Sequence, residues 1–428
     1  MEVRLQERYR ILVDSHLNVV QAVAAGIKAI PRAGLSFAAT QAAWRFFKNE
    51  KVRLTELVEP LREAGRQACL DSLSPYALLA FDWSKLDYDG HANKRDLTQL
   101  SQKLDRGYEM ASVLLVDAED GTSLAPMGLS VLCSLGMHTT ESDTPQPKVS
   151  HLDQVLPWME QAGSWGLGKR PVFVIDREAD SVTHFRSWDA AGHLFLVRID
   201  DRLLSFRGRS QKISQIVNTL QSEGRFITHQ EISLRGRVGI QSVAEAEVIL
   251  DEPGWSRTPE GKTYRIPGPP LRMRLVIVQV RDADGALLAE WLLLTNVWDV
   301  SALQVATWYY WRWRIESFHK VLKSSGLELE EWLQESALAI TKRLLVACMA
   351  CVTVWQLESQ QTPEAQACQT FLVRLSGRQM KRTRPVTTPA LLSGLYLLLR
   401  MLEVLETHSI EELRAYAAIA APMLRPSG

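Results

Sequence analysis

The sequence predicts a mixed α/β sheet with helices on its faces. Three apolar runs, YALLAFDW, EMASVLLVD and LAPMGLSVLC, indicate strands, and the Asp120-Gly121 turn signal between the last two indicates a hairpin. A helical segment, Leu152 to Gly163, separates them from a fourth strand, PVFVI. Another helix, up to about Ala191, precedes a fifth strand, HLFLVRI. A hairpin followed by alternating strands and helices is typical of a mixed sheet covered by helices.

The chain divides into five regions. At 428 residues it is too long for one simple core and is expected to form two or three domains. One segment, in which candidate strands alternate with Gly, Pro and Asp turns, looks like a separate β-rich insertion. Helical patterns dominate both ends. The predicted regions are a helical N-terminal region (1–72), the first part of the core (73–200), the β-rich insertion (201–300), the second part of the core (301–360) and a helical C-terminal region (361–428).

Composition limits the partners and the compartment. Lys plus Arg and Asp plus Glu are equal at 49 each, so a nucleic-acid partner would need local positive clusters. Two basic segments, 202–212 and 374–384, contain no acid, although such charged loops are more often simply solvated. The N-terminus is charged, cysteines are few, and the longest apolar stretch, Leu344 to Trp355, is shorter than the about 20 residues that cross a bilayer. We therefore expect a soluble cytoplasmic protein without a membrane partner.

The segment WYYWRWRIESFHKVLKSSG carries the most specific pattern in the chain. At about 100° per residue, Tyr309, Arg312, Glu316 and Lys323 share a stripe roughly 60° wide on one predicted helix. A carboxylate between cations and a phenol suits a site that holds both a metal ion and a phosphate. An exposed i,i+4 ion pair between Arg312 and Glu316 is the alternative explanation. Beside the stripe lies an apolar seam with the spacing of a buried face, formed by Trp308, Trp311, Ile315, Phe318 and Leu322.

Two aspartates each follow an apolar strand. Asp82 follows YALLAF and Asp176 follows PVFVI, at the sheet edge where α/β proteins commonly bind ligands. An ionised carboxylate at the end of a buried strand needs a cation or hydrogen bonds. Together with Glu316, the aspartates could bind two Mg²⁺ or Mn²⁺ ions, which prefer hard oxygen ligands. Turn formation or helix capping is the alternative role of each aspartate, and Asp87 or Asp89 could take the place of Asp82.

These segments resemble the three acidic motifs of the DDE transposases of bacterial insertion sequences. The matching segments are FDWS around Asp82, VIDREAD around Asp176 and YYWRWRIESFHKVLKSSG around Glu316. Within that family, the spacing Tyr-x2-Arg-x3-Glu-x6-Lys is similar to the signature of the subgroup that excises DNA through a hairpin. The likeness extends to WLLLT at Trp291 and to AAWRFFKN near the N-terminus. It covers most of the chain and is weakest in the tail after about residue 360.

The resemblance implies a ribonuclease H-like core that is interrupted by a β-rich insertion before the catalytic glutamate. It implies that Asp82, Asp176 and Glu316 are catalytic and bind two Mg²⁺ or Mn²⁺ ions. It also implies four successive phosphoryl displacements at one site. Water nicks the element end, the freed 3′-OH forms a hairpin on the opposite strand, water opens the hairpin, and the 3′-OH attacks target DNA.

The resemblance further implies contacts between this helix and double-stranded DNA. Tyr309, Arg312 and Lys323 would contact the phosphate beside a base that is flipped out of the hairpin. Trp291 matches the residue that stacks on such a base, and a core tryptophan of a strand explains it equally well. Trp313 could also face the DNA.

The N-terminal region 1–72 would bind the element ends. Arg45 and Lys48 lie there among aromatic residues, a pattern that can follow a nucleic-acid backbone. An ordinary helix with buried aromatics and solvated cations is the alternative.

The leading hypothesis is therefore a cut-and-paste DNA transposase, a metal-dependent nuclease and strand transferase of the bacterial cytoplasm and nucleoid. The resemblance implies that the C-terminal region, which carries the apolar run LLSGLYLLLRMLEVL, pairs two subunits into a homodimer on DNA, and an intramolecular core helix explains the run at least equally well. The second hypothesis is a catalytically silent, transposase-derived DNA-binding inhibitor or regulator. A glycosidase with paired acids ranks third, because Arg312 and Lys323 favour phosphate over sugar.

Overall fold

The structure is a computed structural model that describes residues 2–17, 33–101, 105–234, 237–257, 262–323, 327–380 and 386–420. Part of the predicted N-terminal helical region (18–32) and part of the basic segment 374–384 lie outside these residues. The helices are α1 Val3–Leu17, α2 Ala33–Lys48, α3 Leu54–Leu57, α4 Glu59–Asp71, α5 Val155–Ala162, α6 Val182–Ala190, α7 Ile213–Ser222, α8 Ala302–Trp311, α9 Trp313–Lys323, α10 Ala337–Ser359, α11 Pro363–Leu375, α12 Thr388–Leu405 and α13 Ile410–Ala420.

The strands occupy the segments in which apolar residues alternate with turn residues. They are β1 Tyr76–Asp87, β2 Thr98–Gln99, β3 Arg106–Asp117, β4 Ser123–Cys133, β5 Gly136–Thr139, β6 Ser142–Gln146, β7 Arg170–Ile175, β8 Leu194–Arg198, β9 Leu203–Phe206, β10 Arg209–Lys212, β11 Ile227–Leu234, β12 Arg237–Leu250, β13 Gly254–Arg257, β14 Thr263–Ile266, β15 Leu271–Arg281 and β16 Leu287–Thr295.

Five of these strands form a ribonuclease H-like core, and the predicted fold class is confirmed. β3 pairs antiparallel with β1 on one side and with β4 on the other. β7 pairs in parallel with β1, and β8 pairs in parallel with β7. The resulting order is β4-β3-β1-β7-β8. Because β1 and β7 run in the same direction, their C-terminal ends meet at one edge of the sheet.

The β-rich insertion continues the core sheet. β16 pairs with β8 and with β15, and β15 pairs with β12, so one sheet of 14 strands runs from the core into the insertion. The expectation of a separate insertion was wrong in this respect. β8 has an open edge in the core, and β16 satisfies its backbone hydrogen bonds. Helix α7 lies within the insertion and was not predicted.

Helix α10 is the central helix of the core. It is 23 residues long and packs against β4, α1, α4 and α12. By length and composition alone, α10 and α12 are both apolar enough to cross a membrane, but 83% of the apolar window of α10 is buried within the protein. The sequence estimate from Leu344 to Trp355 was therefore too short for α10. A buried core helix also meets these criteria, so they do not indicate a membrane segment.

The helix predicted over 301–325 is in fact two helices that meet at Arg312. The N–H of Arg312 donates to Tyr309 O at 3.1 Å, and the N–H of Ile315 donates to Arg312 O at 3.0 Å. These i→i+3 bonds tighten the chain locally and separate α8 from α9. α9 packs against β1 and β3. This position brings Glu316 on α9 toward the strand that carries Asp82.

The predicted turn between β3 and β4 supports this junction. Gly121 has φ +75°, and a Cβ atom there would lie 2.5 Å from ring atoms of Trp311. The carbonyl of Gly121 accepts a hydrogen bond from Arg314 Nε at 2.7 Å. Glycine is thus required both for a left-handed backbone and for the close approach of the Trp311 ring. The other members of the predicted apolar seam are buried in the core: Trp308, Ile315, Phe318 and Leu322.

We predict that Gly121→Ala destabilises the protein more than Gly285→Ala. Gly285 also has a positive φ, +83°, but a Cβ there would meet nothing within 4 Å. Both variants lose about 1–2 kcal/mol from the left-handed backbone, and only Gly121→Ala adds about 1–3 kcal/mol from overpacking. Chemical denaturation of the two variants measures the difference. Equal losses would contradict the role of the turn as a support for the α8–α9 junction.

Candidate active site

Asp82 and Asp176 lie side by side where the parallel pairing ends. The register of β1 and β7 closes with Phe81 opposite Ile175, so the next residue on each strand is an aspartate. The sequence placed Asp82 at the end of its strand, and this was wrong. β1 continues past Asp82 because it stays paired with β3, where Ser112 is opposite Asp82. Pairing on one side only leaves Asp82 at a fixed backbone position beside an open sheet edge.

Backbone N–H groups hold one oxygen of each aspartate. Asp82 Oδ1 accepts a hydrogen bond from the N–H of Trp83 at 2.9 Å, and Asp176 Oδ1 accepts one from the N–H of Glu178 at 2.8 Å. Asp176 thereby caps the short 3₁₀ turn Arg177–Ala179, so the capping role considered for it is present. The second oxygen of each carboxylate lies outside these two hydrogen bonds and can serve another ligand.

Glu316 joins the aspartates through Arg312. Arg312 Nη2 donates a hydrogen bond to Glu316 Oε1, and Arg312 Nη1 lies 3.7 Å from Asp82 Oδ2. The guanidinium therefore bridges two carboxylates. Its side chain is 6% exposed and that of Glu316 is 39% exposed. A buried guanidinium that contacts two acids differs from the exposed ion pair that the sequence left as an alternative.

The pKa of Asp82 is affected by both of the other acids. The pKa of Asp82 is raised to about 7, and burial is the largest cause. The charges of Asp176 and Glu316 also act to raise this pKa, whereas Arg312 and the N–H of Trp83 act to lower it. Such effects require charges within a few ångströms to about a nanometre of one another. Three acids that are distant in the sequence therefore form one electrostatic cluster.

Arg312 is charged and only partly satisfied. Burial opposes its charge, but Tyr309 and the three carboxylates outweigh this effect and raise the pKa of the guanidinium. The Tyr309 ring centre lies 5.8 Å from Arg312 Cζ, and burial raises the pKa of Tyr309, so the phenol keeps its proton. Among the residues that the structure describes, buried Arg312 Nε and Nη1 have no hydrogen-bond partner. Such donors are costly unless a ligand supplies acceptors.

A buried pair that the sequence analysis missed fixes α9 to the sheet. Ser112 Oγ and His319 Nε2 are 2.7 Å apart, and Ser112 is the strand partner of Asp82. Burial, together with the charges of Lys323 and Arg312, lowers the pKa of His319 to about 3, so the imidazole is neutral. The hydrogen bond links the helix of Glu316 directly to the backbone position opposite Asp82. Its sequence signal was weak, because a histidine on a helix face does not reveal a partner on a strand.

Lys323, Asp87 and Asp89 contact other groups of the protein outside the acidic cluster. Lys323 Nζ donates to Lys85 O at 2.5 Å and lies 3.0 Å from Glu330 Oε1. Asp87 and Asp89 lie exposed at the end of β1, where Asp87 Oδ1 accepts the N–H of Asp89 at 3.0 Å. A local turn therefore accounts for these two aspartates, whereas Asp82 lies in the acidic cluster.

The two tryptophans predicted near DNA have different environments. Trp291 is 5% exposed, and its ring centre lies 5.9 Å from that of Tyr309 and 6.5 Å from that of Tyr310. In this structure Trp291 is a core residue, which is the alternative that the sequence left open. Its ring packs against the Tyr309 ring. Trp313 is 37% exposed at the start of α9. Only the second of these two side chains presents substantial area to solvent.

Arg45 and Lys48 are exposed on α2, which packs against α10 and α1. Lys48 Nζ lies 3.1 Å from Glu335 Oε2 and 5.0 Å from the ring centre of Trp44. The structure therefore places both cations in the N-terminal helical layer and does not bring them into the acidic cluster.

Acids from other segments neutralise part of the basic segment 202–212. Arg202 Nη2 lies 2.9 Å from Asp180 Oδ1, and Arg207 Nη1 lies 2.6 Å from Glu223 Oε1. The fold thus supplies the acids that the segment itself lacks, and these arginines are paired within the protein.

The acidic cluster has donor chemistry that fits a divalent cation. Asp82, Asp176 and Glu316 offer hard carboxylate oxygens, which Mg²⁺ and Mn²⁺ prefer. Burial and, to a lesser degree, the neighbouring carboxylates raise the pKa of Asp82, and the charge of a bound divalent cation would oppose this rise. These three residues could therefore hold such an ion.

Among the described residues, the donor atoms of Asp96, Cys133 and His138 lie within 4.8 Å of one another, a closeness that the oxygens of Asp82, Asp176 and Glu316 do not reach in this structure. Asp96 already accepts hydrogen bonds from the hydroxyl of Tyr108 and from the N–H of Ala337, the first residue of α10. Its carboxylate therefore caps the N-terminus of that helix. Hydrogen bonding within the protein accounts for this group.

We predict that Asp82→Asn stabilises the metal-free protein at neutral pH. The pKa of Asp82 is about 7 in the folded chain and about 4 when unfolded. The folded state therefore binds more protons between these values, and stability falls as the pH rises through this window. In chelator-treated buffer, Asp82→Asn should raise the Tm by a few degrees at pH 8 and change it little near pH 4. The exposed Asp87→Asn serves as the control, and equal behaviour of the two variants would contradict the assignment.

A family model described as transposase DDE domain matches residues 80–352, well over half of the chain, and this range contains all three acids of the cluster. No curated protein sequence matches the chain. Among solved structures, the chain is similar to piggyBac transposase in a cryo-EM structure of its synaptic complex with hairpin DNA. The identity is 10% and the TM-score 0.38, over 98% of this chain and 76% of that chain, which is too distant to carry an argument. On the family match, the chain belongs to the proteins with a transposase DDE domain.

Proposed function

We propose that this protein is a cut-and-paste DNA transposase whose single active site is the cluster of Asp82, Asp176 and Glu316. The observation that carries the proposal is the convergence of these three acids around Arg312 in a chain of the DDE family. The spacing Tyr-x2-Arg-x3-Glu-x6-Lys favours the bacterial insertion-sequence subgroup that excises DNA through a hairpin. Its substrate would place the protein in the bacterial cytoplasm, at the nucleoid.

The family uses divalent metal ions. We propose that Asp82, Asp176 and Glu316 hold two Mg²⁺ or Mn²⁺ ions. Such a pair supplies Lewis acidity to the attacking and leaving oxygens of an in-line phosphoryl displacement. The protein residues then hold the carboxylates in place. The N–H groups of Trp83 and Glu178 orient the two aspartates, and the bond between Ser112 and His319 sets the position of α9.

One site of this kind serves four steps, because each step is the same displacement with a different nucleophile. Water nicks the element end, and the released 3′-OH attacks the opposite strand and leaves a hairpin. A second water opens the hairpin, and the 3′-OH finally attacks target DNA. The leaving group in each case is a DNA oxygen, so the phosphate must be held in the same orientation throughout.

Arg312 and Tyr309 are the groups that we propose to hold this phosphate. Two buried donors of Arg312 have no hydrogen-bond partner among the described residues, and the fork of a guanidinium matches two phosphate oxygens. The neutral phenol of Tyr309 can donate one more hydrogen bond. Lys323 reaches a phosphate only by leaving Glu330. Trp313, 37% exposed at the start of α9, is the side chain that we propose to contact the neighbouring bases.

We also propose that two copies of the chain assemble on DNA through the C-terminal helices. The first half of α12 is buried, whereas its second half exposes a row of apolar side chains. α13 exposes further apolar side chains, Ile410, Tyr416 and Ile419. Exposed apolar area of this kind is typical of a protein interface. A second copy is the occupant that a reaction on two DNA ends requires.

We predict that loss of one acid abolishes cleavage without abolishing DNA binding. A divalent metal site contributes several kcal/mol of charge stabilisation in the transition state, which corresponds to about a thousandfold in rate. Asp82→Asn, Asp176→Asn and Glu316→Gln should each lose nicking of DNA that carries the ends flanking the coding region, in Mg²⁺ or Mn²⁺. Gel-shift assays on the same DNA measure binding separately.

The matched control for cleavage is Asp87→Asn, a change on the same strand outside the cluster, which should retain nicking. Unchanged nicking in Glu316→Gln would eliminate this residue as a ligand. Binding to the ends without nicking by the unaltered chain would instead favour a catalytically silent DNA-binding protein.

We predict that Leu402→Glu prevents the pairing of two chains on DNA. Leu402 is 52% exposed on α12, so the charge does not disturb the core but opposes apolar contact across an interface. Light scattering should give two chains per complex for the unaltered protein and one for the variant. Leu73→Glu, at a position that is 89% exposed just after α4, is the control and should leave two chains. A complex with one chain in every case would exclude this interface.

A further inference from the structure

We infer that Arg312 competes with the divalent cation for the acidic cluster, so that metal binding requires the guanidinium to exchange carboxylates for phosphate. This inference rests on the proposed function and deepens it. It makes Arg312 a positioning residue that links two events at the site, the arrival of the metal and the arrival of the DNA.

The Arg312 guanidinium lies against the carboxylate oxygens that would bind a metal cation. Its Nη2 is hydrogen bonded to Glu316 Oε1, and its Nη1 lies 3.7 Å from Asp82 Oδ2. Mg²⁺ ligands lie at about 2.0–2.1 Å from the ion, so a metal on these oxygens would stand within a few ångströms of the guanidinium. Two cations at that separation in a buried site repel strongly. The metal and the guanidinium therefore exclude one another from the same oxygens.

The hydrogen-bond donors of Arg312 are only partly satisfied in its present position. The side chain is 6% exposed, yet Nε and Nη1 have no hydrogen-bond partner in the described part of the chain. Buried donors of this kind cost free energy until they find an acceptor. A phosphate oxygen pair would satisfy the fork better than the present contacts, in which a single hydrogen bond reaches Glu316. Binding of a phosphodiester would therefore favour movement of the Arg312 guanidinium from the carboxylates to the phosphate.

Metal binding and phosphate binding are coupled in both directions. A phosphate that draws Arg312 away frees the carboxylates for the metal, and a metal on the carboxylates frees Arg312 for the phosphate. Linkage makes these two effects equal in size. The DNA-free protein should consequently bind the metal weakly, which limits nicking of DNA that is not seated in the site.

The test is a Mn²⁺ titration of the full DNA-free chain, in which the electron paramagnetic resonance signal reports free Mn²⁺. Arg312→Gln, which removes the charge, should bind Mn²⁺ about tenfold more tightly than the unaltered chain. Arg314→Gln is the matched control. It removes the same charge two residues away, where Nε contacts the carbonyl of Gly121, and should bind Mn²⁺ like the unaltered chain. Glu316→Gln should lose the Mn²⁺ binding that the unaltered chain shows.

A second measurement uses the unaltered chain and does not depend on the folding of the variant. Sulfate, a tetrahedral dianion, should draw Arg312 from the acids and strengthen Mn²⁺ binding relative to chloride at equal ionic strength. Thermal melts check that each variant is folded. If Arg312→Gln does not fold, the sulfate measurement decides: stronger Mn²⁺ binding supports the inference, and unchanged or weaker binding overturns it.

The outcomes separate this inference from the proposed function. Folded Arg312→Gln with unchanged or weaker Mn²⁺ binding, in a site that still depends on Glu316, overturns the competition and leaves the metal site intact. Such a result would make Arg312 a support for the ligand Glu316. Absence of any Mn²⁺ binding that depends on Glu316 would overturn both the inference and the proposed active site.

Discussion

The parallel pairing of β1 with β7 is the constraint on which the acidic cluster depends. It ends in register at Phe81 and Ile175, so two aspartates far apart in the sequence become neighbours. α9 then brings a third carboxylate across β1. Three acids at one buried edge repel one another, and Arg312 offsets part of that repulsion. The site is thus held in an unfavourable electrostatic state by the fold around it, as is common where stability is exchanged for function.

Local patterns in the sequence were sufficient to predict the core. Apolar runs bounded by turn residues marked the five core strands, and on each strand of the parallel pair an aspartate follows the last paired residue. The helical period placed Tyr309, Arg312 and Glu316 on one stripe, and Arg312 does contact both Tyr309 and Glu316. The same period did not reveal the break at Arg312, because one tightened turn leaves the apolar spacing unchanged.

Contacts between distant segments could not be predicted from these patterns. The pairing of β16 with β8 joins the insertion to the core through hydrogen bonds that no sequence period encodes. Ion pairs behave likewise: Lys323 meets Glu330 only because the chain folds back after α9. The burial of Trp291 follows from the tyrosines that cover it. For Lys323 and Trp291, a side chain that the sequence offered for DNA contact is engaged by residues from another element.

The continuity of the sheet also fixes a length. From β1, which carries Asp82, to β10 at the far edge of the insertion there are seven strand-to-strand steps. At about 4.8 Å per step, this path along the twisted sheet is roughly 34 Å long. The outermost strand of the insertion is therefore joined to the strand of Asp82 by an unbroken series of backbone hydrogen bonds.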